Sequence, residues 1–154
     1  MFRYVSLFSG IGGFEHAFNA AGGKMVAHAE IDKFAIQSYN SFFGEGLNLG
    51  DISKVDTSDI PDYDILTGGF PCQAFSVAGK RAGMAFKCDS CGFTDTISFN
   101  QYADRDFTCY DCFGDMSAVD GRGLMFFEIA RVARDKQPAV VIMENVRASQ
   151  HERE

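Results

Sequence analysis

Residues 3–21 read Arg3-Tyr4-Val5-Ser6-Leu7-Phe8-Ser9-Gly10-Ile11-Gly12-Gly13-Phe14-Glu15-His16-Ala17-Phe18-Asn19-Ala20-Ala21, and this stretch decides the fold. The run from Arg3 to Phe8 has strand character, the glycines break it, and Phe14 to Ala21 has helical spacing until Gly22-Gly23 stops it. The pattern then repeats. Met25 to Ala29 is apolar and ends at Glu30, and Asp32 is placed to cap a helix through about Phe43. A weak third strand candidate precedes Gly50-Asp51-Ile52, and Asp64-Ile65-Leu66-Thr67 reads as a fourth. Leu124 to Lys136 predicts an amphipathic helix stopped before Pro138, and Ala139 to Met143 a strand of the buried type ending at Glu144-Asn145. Strands alternating with helices predict an α/β chain with a mostly parallel, doubly wound sheet.

The chain has 154 residues, 46% of them hydrophobic and 23% charged, enough apolar material for one packed domain and not for two. Fourteen Lys and Arg against twenty-one Asp and Glu give a formal charge of −7, so no global positive field draws the chain to nucleic acid or to an anionic membrane. No apolar run approaches the roughly 18 residues of a spanning helix, and no secretory signal is evident at the N-terminus. The expectation is a soluble, cytoplasmic protein with no membrane partner.

Five cysteines, an odd number, argue against a closed disulfide framework. Cys88 and Cys91 are separated by two residues, Cys109 and Cys112 likewise, and Cys72 stands alone. The paired spacing is that of a structural zinc ribbon, in which four thiolates close a tetrahedral shell around Zn2+ and leave no open position for catalysis. Residues 87–120, which hold these pairs, break the βα rhythm and read as an insertion. They carry two basic against seven acidic side chains, and four thiolates around one zinc ion add about −2 more. Phosphate would repel such a knob. It is expected to stiffen the loop or to bind protein; the plainer alternative is an insertion merely tolerated at the surface.

In doubly wound sheets ligands bind beyond the carboxyl ends of the strands, and the informative residues fall there. Gly10, Gly12 and Gly13 let a ligand approach the backbone, and Glu30 at the end of the second strand can accept from ribose hydroxyls. Taken alone the signal is weak, because glycines after a first strand often serve only a tight turn. Asp51 offers an acceptor to an adenine amino group, or caps a loop. Cys72, following Gly68-Gly69-Phe70-Pro71 at a strand end, is a candidate nucleophile, with an inert buried cysteine as the alternative; Glu144 is the candidate acid to partner it. His16, His28 and His151 have no partners at ligand spacing.

Six ordered motifs, Phe8-Ser9-Gly10-Ile11-Gly12-Gly13, Glu30, Gly50-Asp51-Ile52, Gly68-Gly69-Phe70-Pro71-Cys72-Gln73-Ala74-Phe75-Ser76, Gly121-Arg122-Gly123-Leu124 and Glu144-Asn145-Val146, resemble the early motifs of the cytosine-C5 DNA methyltransferases, the bacterial restriction-modification type most closely. The resemblance implies a Rossmann-like fold dependent on S-adenosylmethionine. It implies that the Cys72 thiolate adds to carbon 6 of a cytosine flipped out of double-stranded DNA, that Glu144 holds a proton at nitrogen 3, and that carbon 5 then takes the methyl group. By the same resemblance Phe8, Gly10, Ile11, Gly12, Gly13, Glu30, Ile31, Asp51, Ile52 and Pro71 line the cofactor site, with Ile31 where many members carry Trp. Ser76 and Gly79-Lys80-Arg81 match the loop that closes over DNA, and Gly121-Arg122-Gly123 its far hinge; any one of them could equally be a solvated loop residue.

The expected organisation is therefore residues 1–86 as the cofactor-binding and nucleophile-bearing part, 87–120 as the four-cysteine insertion, and 121–154 as the continuation to Glu-Asn-Val. The later motifs of the family, including its target-recognition region, are not in the sequence. This predicts a truncated methyltransferase fold whose DNA-reading part lies elsewhere, as on a second subunit, so the alternative function is a cofactor-binding portion inactive by itself.

Overall fold

The computed structural model describes residues 1–71, 85–104, 106–119 and 121–145. The candidate nucleophile Cys72, Ser76 and Gly79-Lys80-Arg81 lie outside the described residues. In chain order the elements are β1 (Arg3–Leu7), α1 (Gly13–Ala20), β2 (Lys24–Ala29), α2 (Lys33–Phe43), β3 (Ile65–Gly68), β4 (Ala85–Cys88), β5 (Thr94–Thr96), α3 (Phe99–Ala103), β6 (Met116–Ala118), α4 (Met125–Lys136) and β7 (Val140–Met143). They form two compact units: Met1–Phe70 with Glu128–Glu144, and Pro71–Phe127 with the chain from Asn145.

The first unit is a parallel sheet in the order β2-β1-β3-β7. Four of the five β1 residues are buried, as expected of a central parallel strand covered on both faces. Val5, Leu7, Ala27, Ala29, Leu66, Ile129 and Val132 form its core with Ile52, Ile60 and Tyr63. Asp32 caps α2 as its position predicts, accepting from the amides of Phe34 and Ala35 at 2.9 and 2.8 Å.

Two strand expectations need correction. The third strand is absent: Asn48 makes only an isolated parallel bridge to His28. The ladder stops there because the Asn48 side chain takes over from the backbone, accepting from Glu30 N at 3.1 Å and donating to Glu30 O at 3.1 Å. The strand β7 exists but is not buried; Val140, Val141, Ile142 and Met143 are all 37–50% exposed, because among the described residues it is the outermost strand and pairs with β3 alone.

The second unit is built on a small antiparallel sheet, β5-β4-β6. Ser98 and Gln101 form a capping box at the start of α3. Phe86, Ile97, Tyr102, Met116, Phe127 and two of the paired cysteines, Cys88 and Cys109, make a core of its own.

Candidate functional site

The turn after β1 is held open by backbone geometry that few residues adopt. Phe8 has φ +55° and Gly10 φ +57°, both left-handed, and Gly12 at φ +95° precedes the first residue of α1. A side chain at Gly10 or Gly13 would meet nothing, so the backbone there faces open space. At Gly12 a Cβ would overlap the Phe43 ring, which closes that side of the turn.

Glu30 fastens this turn to the end of β2. Its Oε2 accepts from Gly10 N at 2.9 Å, and Oε1 accepts from Ile31 N at 2.8 Å and Asp32 N at 2.9 Å. A carboxylate has about four acceptor positions, so three backbone amides leave it capacity for a hydroxyl. Asn48, which sequence reasoning did not single out, braces Glu30 through the two backbone bonds above and also accepts from Gly50 N at 2.9 Å. The only sequence signal for it is the asparagine two residues before Gly50, the mark of an Asx turn.

A cavity of about 380 Å³ opens beside the turn, lined by Phe8, Ser9, Gly13, Phe14, Gly69 and Glu144. Glu144 is exposed there; its amide donates to Gly68 O at 3.1 Å, and a Cβ on Gly69 would stand 3.2 Å from its Oε2. The parallel register of β1, β3 and β7 brings these residues together, since Leu7 pairs with Gly68 and Gly68 with Met143. Ser9, Phe14 and Gly69 were not named from sequence as site residues. Behind the turn, Ser9 Oγ lies 2.9 Å from His28 Nδ1, the His28 ring stacks on Tyr39 at 4.1 Å, and the Tyr39 hydroxyl donates to Glu15 at 3.2 Å.

The other expected cofactor residues fall in different settings. Ile11 and Ile31 are exposed, with Ile31 directly after the Glu30 clasp. Asp51 is engaged locally: it accepts from Ser53 N and Oγ and pairs with Lys54 at 3.0 Å, contacts that hold its carboxyl below the usual range. Ile52 is buried in the core rather than at the cavity, and Pro71 is half-buried.

In the second unit Cys88, Cys91, Cys109 and Cys112 present sulfurs that all lie within 4.8 Å of one another. Cys88 and Cys112 are 3.4 Å apart and Cys91 and Cys109 3.7 Å, and none of the four is in a disulfide. Metal–sulfur bonds of ~2.3 Å in a tetrahedron set sulfurs ~3.8 Å apart, so the cluster has the dimensions of a closed four-thiolate cage. Tight bends shape both halves: Gly92 has φ +78° after the first pair and Phe113 φ +58° after the second. The Cys91 amide points at Cys88 Sγ from 3.5 Å and lowers that thiol to about 6, while the neighbouring sulfurs push the Cys91 and Cys112 thiols up.

Residues 2–95 and 114–154 match the family model described as C-5 cytosine-specific DNA methylase, and the gap in that match falls inside the four-cysteine stretch. The chain is 46% identical over 149 residues to the orphan methyltransferase M.SPBetaI of Bacillus phage SPbeta, covering 94% of this chain and 33% of that protein. It is 39% identical over 145 residues to the type II methyltransferase M.HhaI of Haemophilus parahaemolyticus, covering 94% and 34%. The chain thus spans about a third of the length of the curated relatives it matches. The fold is shared with a crystal structure from an Escherichia coli prophage, described as a DNA modification methyltransferase, at a TM-score of 0.61 and 22% identity over 99% of this chain and 34% of that one. No described helix is long and apolar enough to cross a membrane.

Proposed function

Because the chain belongs to the C-5 cytosine-specific DNA methylase family, we propose that it forms the cofactor-binding and catalytic portion of a DNA cytosine-C5 methyltransferase working in the cytoplasm of a bacterial host. The observation that carries this reading is a cavity lined both by the glycine turn and by Glu144. Its size is that of a small-molecule site. The cofactor is S-adenosylmethionine, which supplies the methyl group when bound. Glu30 accepts its ribose hydroxyls, the open backbone at Gly10 and Gly13 takes its close approach, and the exposed Ile31 side chain offers an apolar surface to its adenine.

The substrate is a cytosine flipped from duplex DNA, because neither face of a stacked base can be reached. Cys72 attacks carbon 6 as the thiolate, and Glu144 holds a proton at nitrogen 3 so that no full negative charge accumulates on the ring. The electron pair then available at carbon 5 takes up the methyl group. Transfer of the carbon 5 proton to a base from solvent re-forms the double bond and expels Cys72 as the thiolate, and the nitrogen 3 proton returns to Glu144. Cys88, Cys91, Cys109 and Cys112 hold a structural Zn2+ ion apart from this chemistry.

The test is covalent capture by a duplex containing 5-fluorocytosine, in which the fluorine at carbon 5 blocks the last elimination. An adduct on Cys72 that requires S-adenosylmethionine supports the reading, and its absence when the cofactor is demonstrably bound counts against catalysis by this chain alone. The exposure of β7 favours a second reading, in which a further protein segment adds to that edge and supplies target recognition. An adduct that appears only when such a segment is added, on the same polypeptide or on another subunit, distinguishes the two.

A further inference from the structure

We infer that metal binding by the four thiolates is the event that folds the second unit, and that it does so by tying together the two ends of the insertion while leaving the parallel sheet indifferent to metal. This rests on the reading that the cysteines hold a metal ion.

The insertion starts and finishes at adjacent strands. In register, β4 faces β6 with Phe86 opposite Ala118, Lys87 opposite Ser117 and Cys88 opposite Met116, and Val119 N donates to Ala85 O at 2.9 Å. The first ligand, Cys88, is the last residue of this ladder. Beyond it Asp89 N still reaches Asp115 O at 3.0 Å, and Cys109 N reaches Gly114 O at 2.9 Å. A metal bridging Cys88 and Cys91 to Cys109 and Cys112 would join the end of β4 to the segment that leads into β6.

Little else can do so. The strands are four, three and three residues long and the helix has five. A unit this small rarely folds on its hydrophobic core alone, and here two of the seven buried core residues are themselves ligands, Cys88 and Cys109. The four sulfurs come together only when the two bends and the stem between them are formed, so the free energy of metal binding is also free energy of folding. The ten buried residues of the sheet core include none from the insertion.

Amide hydrogen exchange on the full chain under reducing conditions tests this, with zinc bound, after chelation and after zinc is returned. Removal is expected to lower protection at Asp89, Cys109, Met116 and Val119 by about a hundredfold or more, with less than about a twofold change at Ser9, Leu49 and Asp64 and recovery on adding zinc. Cys91→Ser and Cys112→Ser, each replacing an exposed ligand and opening no core cavity, should reproduce the loss. Tetrahedral cobalt absorption reports the site independently. Cobalt binding with unchanged protection on metal removal would overturn the inference and spare the metal site. Absence of cobalt binding would overturn the metal site and the inference with it, and equal loss at Ser9, Leu49 and Asp64 would overturn the independence of the sheet.

Discussion

The amide of Gly10 donates to Oε2 of Glu30 across 2.9 Å, latching the turn after β1 to the end of β2. The other carboxylate oxygen receives Ile31 N and Asp32 N, so one side chain ties together the ends of two neighbouring strands. In Glu30→Gln an amide NH2 must face a backbone N–H on one side or the other. That strain falls on the turn; the ribose hydroxyls in addition lose a charged acceptor, worth about 1.5–3 kcal/mol, which predicts a fall of roughly tenfold to a hundredfold in S-adenosylmethionine affinity. Calorimetry checks this, and unaltered affinity would remove Glu30 from the site.

Gly10 and Gly12 separate binding from stability. Both have positive φ, but only Gly12 lacks room, since its Cβ would overlap the Phe43 ring. Left-handed strain of about 1–2 kcal/mol acts at both positions, and overpacking adds about 1–3 kcal/mol at Gly12 alone. Gly12→Ala is therefore expected to lose about 2–5 kcal/mol in urea unfolding. Gly10→Ala should lose only the smaller part while placing a methyl group in the space the cofactor would use, so its affinity falls more than its stability. Equal losses of stability in the two variants would contradict the packing argument.

The βα units were legible because their punctuation is local: Gly10, Gly12 and Gly13 after β1, and Asp32 before α2, announce themselves within a few residues. The paired cysteines stand out locally in the same way, and the fold gathers their four sulfurs within 4.8 Å of one another. What sequence could not give is set by neighbours far along the chain. The run around Asn48 looks like a strand until its side chain takes the backbone contacts of Glu30, and Val140 to Met143 look like a core strand until the sheet order leaves them outermost. Ser9, Phe14 and Gly69 became site residues only once β1 and β3 were in parallel register.

Glu144 lies at the cavity with its amide tied to Gly68 and its carboxyl exposed. If it holds the proton at nitrogen 3 of the cytosine, Glu144→Gln keeps the size of the side chain and removes the acid. In any form of the protein that captures 5-fluorocytosine, the rate of adduct formation should fall about 10²–10⁴-fold while the cofactor still binds. A rate within a few fold of the parent would assign Glu144 to structure instead.

Glu15 sits wholly buried in α1, one oxygen accepting from the Tyr39 hydroxyl and the other, Oε2, without a hydrogen-bond partner. Burial pushes its carboxyl above the ordinary glutamate value, outweighing the opposing effects of its own backbone amide, Ser6, Tyr39 and His16. The native state therefore holds this proton at a pH where the unfolded chain has released it. Below the ordinary value, about pH 4.3, both states are protonated and the burial of a neutral acid is uncontested. As pH rises from there through the elevated native value, the unfolded state binds fewer protons than the native one, and stability falls. Glu15→Gln stays neutral at every pH and keeps an acceptor for Tyr39. Its stability should match the parent's near pH 4 and exceed it increasingly toward neutrality, a widening gap that urea midpoints at several pH values would reveal. A gap that stays constant with pH would mean that Glu15 ionises as freely in the fold as out of it.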